Sequence, residues 1–407
     1  MNENNLENIC RIVDMYSDDP FVGIKCKEDS VEVSFPMGYK LGKGNDNIRR
    51  NILSLLQILS EFTERTDSEW SEENRDCTTK FPIYSYLYII RDYLTNGYYV
   101  EKEINYCVAK RGKIHWSRTI KNQKPYPTRN GVVYLDFIVK DSSINQNELI
   151  TLVYEACVYK CFKKLGWLYT SYLPKKPRLD YDKKMFETIV VRSMNNTFND
   201  KKRELFEHLL KVIKEESNEE IVVNFSYGTS RFEYVWENMI DYMFGIDNKE
   251  EYFPHSEWHL KETDKENRAL EPDTIMIKDG VAYVLDAKYY KYGITGIPGH
   301  LPSTSSIAKQ IIYAEYIEQN KKTDVDGNIL KTYNAFIMPF SKKENYFKTD
   351  KNYMYIGYAD AGWKKFQNDY EHVLGILLDI NYIMDNCARQ SKKDIEELSQ
   401  LILDSFE

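Results

Sequence analysis

Apolar residues recur at helical spacing in several stretches of the chain. Ile48, Ile52, Leu55, Leu56 and Leu59 share one face of a helix predicted over residues 45–62, and Leu205, Leu209, Leu210 and Ile213 do so over 200–216. A third helical pattern covers 147–169. Period-two alternation marks the strand SVEVSF at 30–35, and residues 100–140 read as β-rich, closing on VVYLDFIV. The polar run SNEE at 217–220 breaks the pattern and sets a boundary. Beyond it the predicted order is the strand IVVNFSYG, a helix over 231–244, a strand around Trp258, a hairpin over 273–288, a helix over 307–318, a strand over 335–339 and C-terminal helices. Such alternation predicts an α/β domain with a mixed central sheet flanked by helices, following an α+β N-terminal region. The expected divisions are an N-terminal region at 1–140, a helical connecting region at 141–220 and a C-terminal domain at 221–407.

Composition narrows the classes. A chain of 407 residues is longer than one core usually serves. No apolar run approaches the roughly 20 residues that span a bilayer, and the N-terminus lacks a basic start with an apolar stretch, so the expected compartment is the cytoplasm. The seven cysteines are scattered without a CxxC pair, and all are read as structural, including Cys157 and Cys161 one helical turn apart. A net charge of −8 argues against general DNA coating, because sequence-independent affinity needs Lys and Arg on phosphates. Positive charge is local: residues 110–129 carry seven Lys/Arg and no acid, and residues 160–178 carry six and no acid, both with interleaved aromatics. Nucleic acid, an acidic protein partner or a solvated face all suit such segments.

The chemistry lies in EPDTIMIKDGVAYVLDAKYY at 271–290, centred on Asp279-Gly280, a strong hairpin signal. With those two residues as the loop, Lys278 pairs with Val281, and counting outward sets Asp273 opposite Asp286. Directly opposed residues share a face with Cβ atoms about 4.5–5.5 Å apart. Two carboxylates at that spacing repel unless a cation lies between them, and a hard divalent ion such as Mg²⁺ resolves the conflict. Lys288 shares the face of Asp286 at period two, placed to position a water or to steady charge developing on phosphorus. Ala287 points the other way and leaves its carbonyl as a further ligand. A third acid is expected from Glu233 or Glu237, at i and i+4 on one face of the neighbouring helix predicted over 231–244. The competing structural readings are a capping box from Ser230 to Glu233, Asp273 capping a strand end, and Lys288 pairing with Glu271. GYKLGKG at 38–44 lacks the spacing and the Ser/Thr of a phosphate loop, and His255 with His259 lacks the glutamate placement of a zinc helix; neither is assigned a site.

The order FEYVWE, then Pro272-Asp273, then Asp286-Ala287-Lys288 resembles the nuclease domain of McrC-type restriction subunits, particularly the LlaJI restriction endonuclease branch. RGKIHWSRTI at 111–120, FSYGTSRFEYVWE at 225–237 and LPSTSSIAKQIIYAEYI at 301–317 agree with it. The resemblance implies a PD-(D/E)xK nuclease domain at 221–407 that hydrolyses double-stranded DNA with Mg²⁺. Asp273, Asp286, Glu237 and the Ala287 carbonyl would be its metal ligands, and Glu233, Lys288 and Gln310 further site residues. Gln310 and Tyr313 resemble the Gln/Tyr element that follows the lysine motif. It also implies a McrB-like AAA+ GTPase partner that the chain stimulates, with no membrane attachment. His115 departs from the pattern, which has Asp or Asn there. The alternatives are a stand-alone type II restriction endonuclease and a non-cleaving GTPase-stimulating scaffold.

Overall fold

The computed structural model describes residues 6–27, 30–66, 81–129, 131–145, 148–215, 225–320, 330–363 and 368–406. The sequence boundary at 217–220 and the first half of IVVNFSYG lie outside them. Contacts divide the chain into a smaller unit, residues 80–222, and a larger one built from residues 4–79 and 223–407. The change of unit at 222 lies beside the expected boundary at 220, no division falls at 140, and the N-terminal strands and first helix pack with the C-terminal part.

The larger unit begins with β1 (Cys10–Ile12), β2 (Val22–Lys27), β3 (Ser30–Phe35) and α1 (Asn45–Thr66). The smaller unit follows with α2 (Ile83–Asn96), β4 (Glu101–Ala109), β5 (Lys113–Ile114), α3 (Trp116–Asn122), β6 (Pro125–Thr128), β7 (Gly131–Tyr134), β8 (Phe137–Asn145), α4 (Leu149–Leu165), α5 (Lys183–Asn195) and α6 (Asp200–Lys214). The chain then returns with β9 (Phe225–Thr229), α7 (Phe232–Phe244), β10 (Glu257–His259), β11 (Asp264–Glu266), β12 (Thr274–Lys278), β13 (Val281–Ala287), α8 (Tyr292–Thr295), α9 (Thr304–Gln319), β14 (Lys331–Phe340), β15 (Tyr353–Ala359), β16 (Val373–Asp379), α10 (Ile380–Asn386) and α11 (Lys392–Asp404).

A five-stranded mixed sheet, β12-β13-β14-β16-β15, forms the centre of the larger unit. Strands β13, β14 and β16 run parallel, while β12 and β15 are antiparallel to their neighbours. Helix α9 lays Ile311, Ala314 and Ile317 on Val284, Phe336 and Met338 of the sheet, and α7 packs on β12 and β13. Two sequence expectations are corrected here. The stretch after residue 340, expected to be helical, contributes β15 and β16 before α10 and α11, because VLGILLD is an apolar run buried throughout and periodicity cannot tell such a strand from a helix. The strand expected at the start of the C-terminal domain is not in the central sheet: β9 completes a separate sheet, β1-β3-β2-β9. There Gly23 faces Gly228 so closely that a Cβ on Gly23 would lie 2.2 Å from the Tyr227 carbonyl oxygen. Only glycine fits that approach.

The smaller unit holds the three-stranded sheet β4-β8-β5, the hairpin β6-β7, and α2, α4, α5 and α6 packed on one another. Among the described residues no helix is long and apolar enough to cross a membrane. Cys157 and Cys161 lie buried on α4, as expected of structural residues, whereas Cys107 is exposed. Beside them Glu215, which caps α6, meets Lys164 at 2.7 Å and Lys160 at 3.4 Å and accepts from the Tyr86 hydroxyl. Burial opposes the charge on Glu215, but Lys164, Tyr86 and Lys160 outweigh it and hold its carboxyl below the usual range. Replacing Glu215 by Ala strands two shielded ammoniums and should cost about 2 kcal/mol in urea unfolding. Since the folded state depresses this carboxyl, its contribution is complete above the ordinary carboxylate range and is lost on acidification. The gap between wild type and Glu215→Ala should therefore close as pH falls through that range.

Candidate active site

The hairpin forms in the expected register. Asp279 (φ 50°) and Gly280 (φ 74°) make a tight turn with both central residues left-handed, which matches the twist of the flanking strands. The ladder runs from Lys278↔Val281 to Thr274↔Leu285, so the next step outward places Asp273 across from Asp286. Asp273 sits just before β12 and Asp286 near the end of β13, where only 6% of its surface is exposed.

Three polar contacts join the group. The Lys288 ammonium lies 2.5 Å from Asp286 Oδ2 and 3.9 Å from Asp273 Oδ2, and the Ala287 amide donates to Asp273 Oδ2 at 3.0 Å. Burial, then the neighbouring Asp286 charge, push the Asp273 carboxyl well above its usual range despite Lys288. Burial works against the Lys288 charge, but Asp273 and Asp286 together hold its ammonium above the ordinary lysine range. Glu237 on α7 feels the same centre: burial, the largest cause, with Asp286 and Glu233 outweighs the pull of Lys288 and Arg231, so that its carboxyl is pushed up to about 7. Three carboxylates around one ammonium leave excess negative charge in a site largely shielded from water.

The remaining sequence candidates fall as follows. Glu233, one turn before Glu237, pairs with Arg231 at 3.2 Å. The capping box from Ser230 is not formed; Arg231 occupies the N-cap of α7 without a side-chain cap. Glu271 pairs with Arg268 and not with Lys288. Gln310, buried on α9, donates from Nε2 to the Val284 carbonyl at 2.7 Å, which ties the helix to β13 two residues before Asp286. Tyr313 donates to the Glu271 carbonyl at 3.1 Å. His255 and His259 are exposed, the latter on the small β10-β11 hairpin that the sequence marks at Trp258. His115 caps α3, its Nδ1 accepting from the Arg118 amide at 3.3 Å. Asp and Asn are favoured N-caps, so histidine here replaces one acceptor by another.

Sequence reading missed Lys249. Its ammonium donates to the Asp273 carbonyl and to Asp241 of α7, both at 2.7 Å, fastening the start of β12 to the helix that carries Glu237. No local pattern signals a contact between residues so far apart in sequence.

A carboxylate-lysine centre on the hairpin of a mixed α/β sheet is the class that fold and site define. The chain belongs to the LlaJI restriction endonuclease family, whose model matches residues 21–378. The type II restriction enzyme BsuMI component YdjA of Bacillus subtilis (strain 168) is 26% identical over 277 residues, covering 62% of this chain; the chain spans 57% of that relative's length. Among solved structures, a chain of the Thermococcus gammatolerans assembly of McrB AAA+ hexamers with bound McrC is 14% identical, with 94% of this chain and 83% of that chain covered at a TM-score of 0.36. A chain of the McrBC complex of the same organism is 15% identical, over 54% of this chain and 64% of that one, with a TM-score of 0.21.

Excess charge of one sign at a site is a destabilising arrangement, and relieving it without losing the Ala287 contact should stabilise the fold. Asp273→Asn keeps an oxygen acceptor for that amide. In chelator at neutral pH it should raise unfolding stability by about 1 kcal/mol, read by thermal or urea melts.

Proposed function

We propose that this chain is the DNA-cutting subunit of a restriction system, a Mg²⁺-dependent endodeoxyribonuclease with a PD-(D/E)xK site in its larger unit. The observation that carries the reading is the pairing of Asp273 and Asp286 in one hairpin with the Lys288 ammonium against both. Membership of a restriction endonuclease family supports it.

The residues present fit a hard divalent cation. Their donors are carboxylate oxygens, the ligand type that selects Mg²⁺, and the raised Asp273 carboxyl reports uncompensated negative charge. Asp273, Asp286 and Glu237 would hold the ion, with the Ala287 carbonyl as a further oxygen. When bound, such an ion supplies charge compensation and activates water for attack on a phosphodiester. Lys288, held by Asp286, presents a fixed cation toward charge developing on the phosphoryl oxygens. Gln310 and Lys249 act on the frame, the first fixing β13 and the second fixing the Asp273 backbone.

The partner in this reading is a McrB-like AAA+ GTPase. The glycine-lysine loop at 38–44 lacks the phosphate-loop pattern, and in this reading nucleotide hydrolysis belongs to that partner.

Plasmid cleavage by the assembled complex with GTP and Mg²⁺ tests the assignment. Asp286→Ala and Lys288→Ala should each cut at least about a hundredfold more slowly than wild type, and an unimpaired Asp286→Ala would refute the site. Cutting by the purified chain without GTP would establish the stand-alone enzyme, and GTPase stimulation without nicking would establish the scaffold. Mg²⁺ at about a hundred times its Kd should stabilise the wild-type fold by about 2.7 kcal/mol over chelator, and Asp286→Ala should lose most of that gain.

A further inference from the structure

Strands β13, β14 and β16 are parallel, so their carboxyl ends lie along one edge of the central sheet. Ligands of open α/β sheets bind beyond that edge. The carboxylate-lysine centre stands at the end of β13. Past the ends of β14 and β16 lies a cavity of about 620 Å³, lined by Lys342 and Lys343 after β14, by Asn381 and Asp385 after β16, and by Arg50 and Asn51 of α1.

The glycine-lysine loop at 38–44 connects the two places. At its start the Met37 amide donates to the Tyr289 hydroxyl, directly after Lys288. Midway, the Lys40 amide and carbonyl both bond the Asn381 side chain, and at the far end the Gly42 amide donates to Asn51 Oδ1. The loop thus spans from the catalytic strand to the cavity wall. Register places the end of β14 three residues beyond the level of Ala287, since Ala287 pairs with Ile337 and Phe340 pairs with Asp379. That is about 10 Å along the strands and one to two strand spacings across, a reach of a few nucleotides along one DNA strand.

The lining is built for an anionic polymer that also hydrogen-bonds. Arg50 and Lys343 are exposed, and the Lys343 charge works against the rise that burial imposes on the lining carboxyl of Asp385. The second lining carboxylate, Asp379, is buried and already accepts from the Lys342 and Tyr382 amides. The Lys342 ammonium bonds Asn352 at 2.5 Å and is less available. Two of the lining amides, Asn51 and Asn381, also neighbour the hydroxyl of the buried Tyr39.

We propose that this cavity seats the sugar-phosphate backbone of the DNA strand flanking the bond cut at the Asp273-Asp286-Lys288 centre, with Arg50 and Lys343 as the residues that contact its phosphates. The proposal rests on the nuclease reading for its substrate. Arg50 and Lys343 are positioning residues that fix where the duplex lies relative to Lys288.

The test is duplex binding by the full chain carrying Asp286→Ala, read as fluorescence anisotropy of a short labelled blunt duplex over a salt series. Adding Arg50→Ala and Lys343→Ala together should weaken binding about tenfold and make the slope of log K against log salt shallower by about one per residue removed. The charge-preserving pair Arg50→Lys and Lys343→Arg should restore the slope. Lys261→Ala with Lys265→Ala, near and on the exposed β10-β11 hairpin, should leave it unchanged. In cleavage by the otherwise wild-type complex, the cavity variants should raise KM more than they lower kcat. Unchanged affinity and salt slope in the Arg50/Lys343 variant, with thermal melts showing it folded, would overturn the proposal. If cutting still depends on Asp286 in that case, the nuclease reading stands and this subsite falls. If binding depends on the cavity but no cutting depends on Asp286, the subsite stands and the nuclease reading falls.

Discussion

Two carboxylates placed face to face at the root of one hairpin, with a lysine ammonium wedged against them, set the terms for the rest of the larger unit. The turn Asp279-Gly280 fixes the register, and the register alone determines that Asp273 meets Asp286 and that Lys288 shares their face. A one-residue slip would turn those side chains to the opposite face. The surrounding contacts keep the slip from happening: Gln310 grips the Val284 carbonyl, Lys249 grips the Asp273 carbonyl, and the Ala287 amide grips the Asp273 carboxylate. Each of these bonds uses backbone or carboxylate of the same two strands, so rigidity is concentrated where charge is concentrated.

The hairpin was legible because its determinants are local. A type of turn that demands left-handed residues, a strict alternation and acids at equal distances from the loop are all visible in twenty residues. Helices α1, α6, α7 and α9 were legible for a similar reason, since each carries an apolar stripe at helical spacing. The rest depended on distant parts of the chain. Strand β9 pairs with β2 across some two hundred residues through a glycine-on-glycine contact, and nothing near either glycine announces it. Strand β16 was hidden because a fully buried run has no polar face to count against. Of the two candidate acids on α7, spacing allowed either, and only the packing of the helix on β12 and β13 brings Glu237 beside Asp286 and Lys288 while Glu233 turns to Arg231.

The same logic explains why the glycine-lysine loop near the N-terminus resisted reading. Its pattern is not that of a phosphate loop, and in the folded larger unit its amides and carbonyls bond Tyr289, Asn381 and Asn51. It serves as a brace between the residue that follows Lys288 and the wall of the neighbouring cavity. Its glycines and short polar partners suit a close run along the sheet edge. The N-terminal strands and α1 therefore belong with the site-bearing part of the chain, although some hundred and fifty residues of another unit separate them in sequence.

Among the described residues, a different trio has its ligand atoms within 4.8 Å of one another: Glu257, His259 and Asp264, all exposed on the β10-β11 hairpin. A single measurement separates that surface group from the hairpin centre. Mn²⁺ binding to the full chain, followed by the electron paramagnetic resonance signal of the free ion, should show tight uptake that Asp286→Asn abolishes and that His259→Ala leaves intact. Uptake that survives Asp286→Asn and disappears with His259→Ala would contradict a metal-dependent centre at Asp273, Asp286 and Lys288.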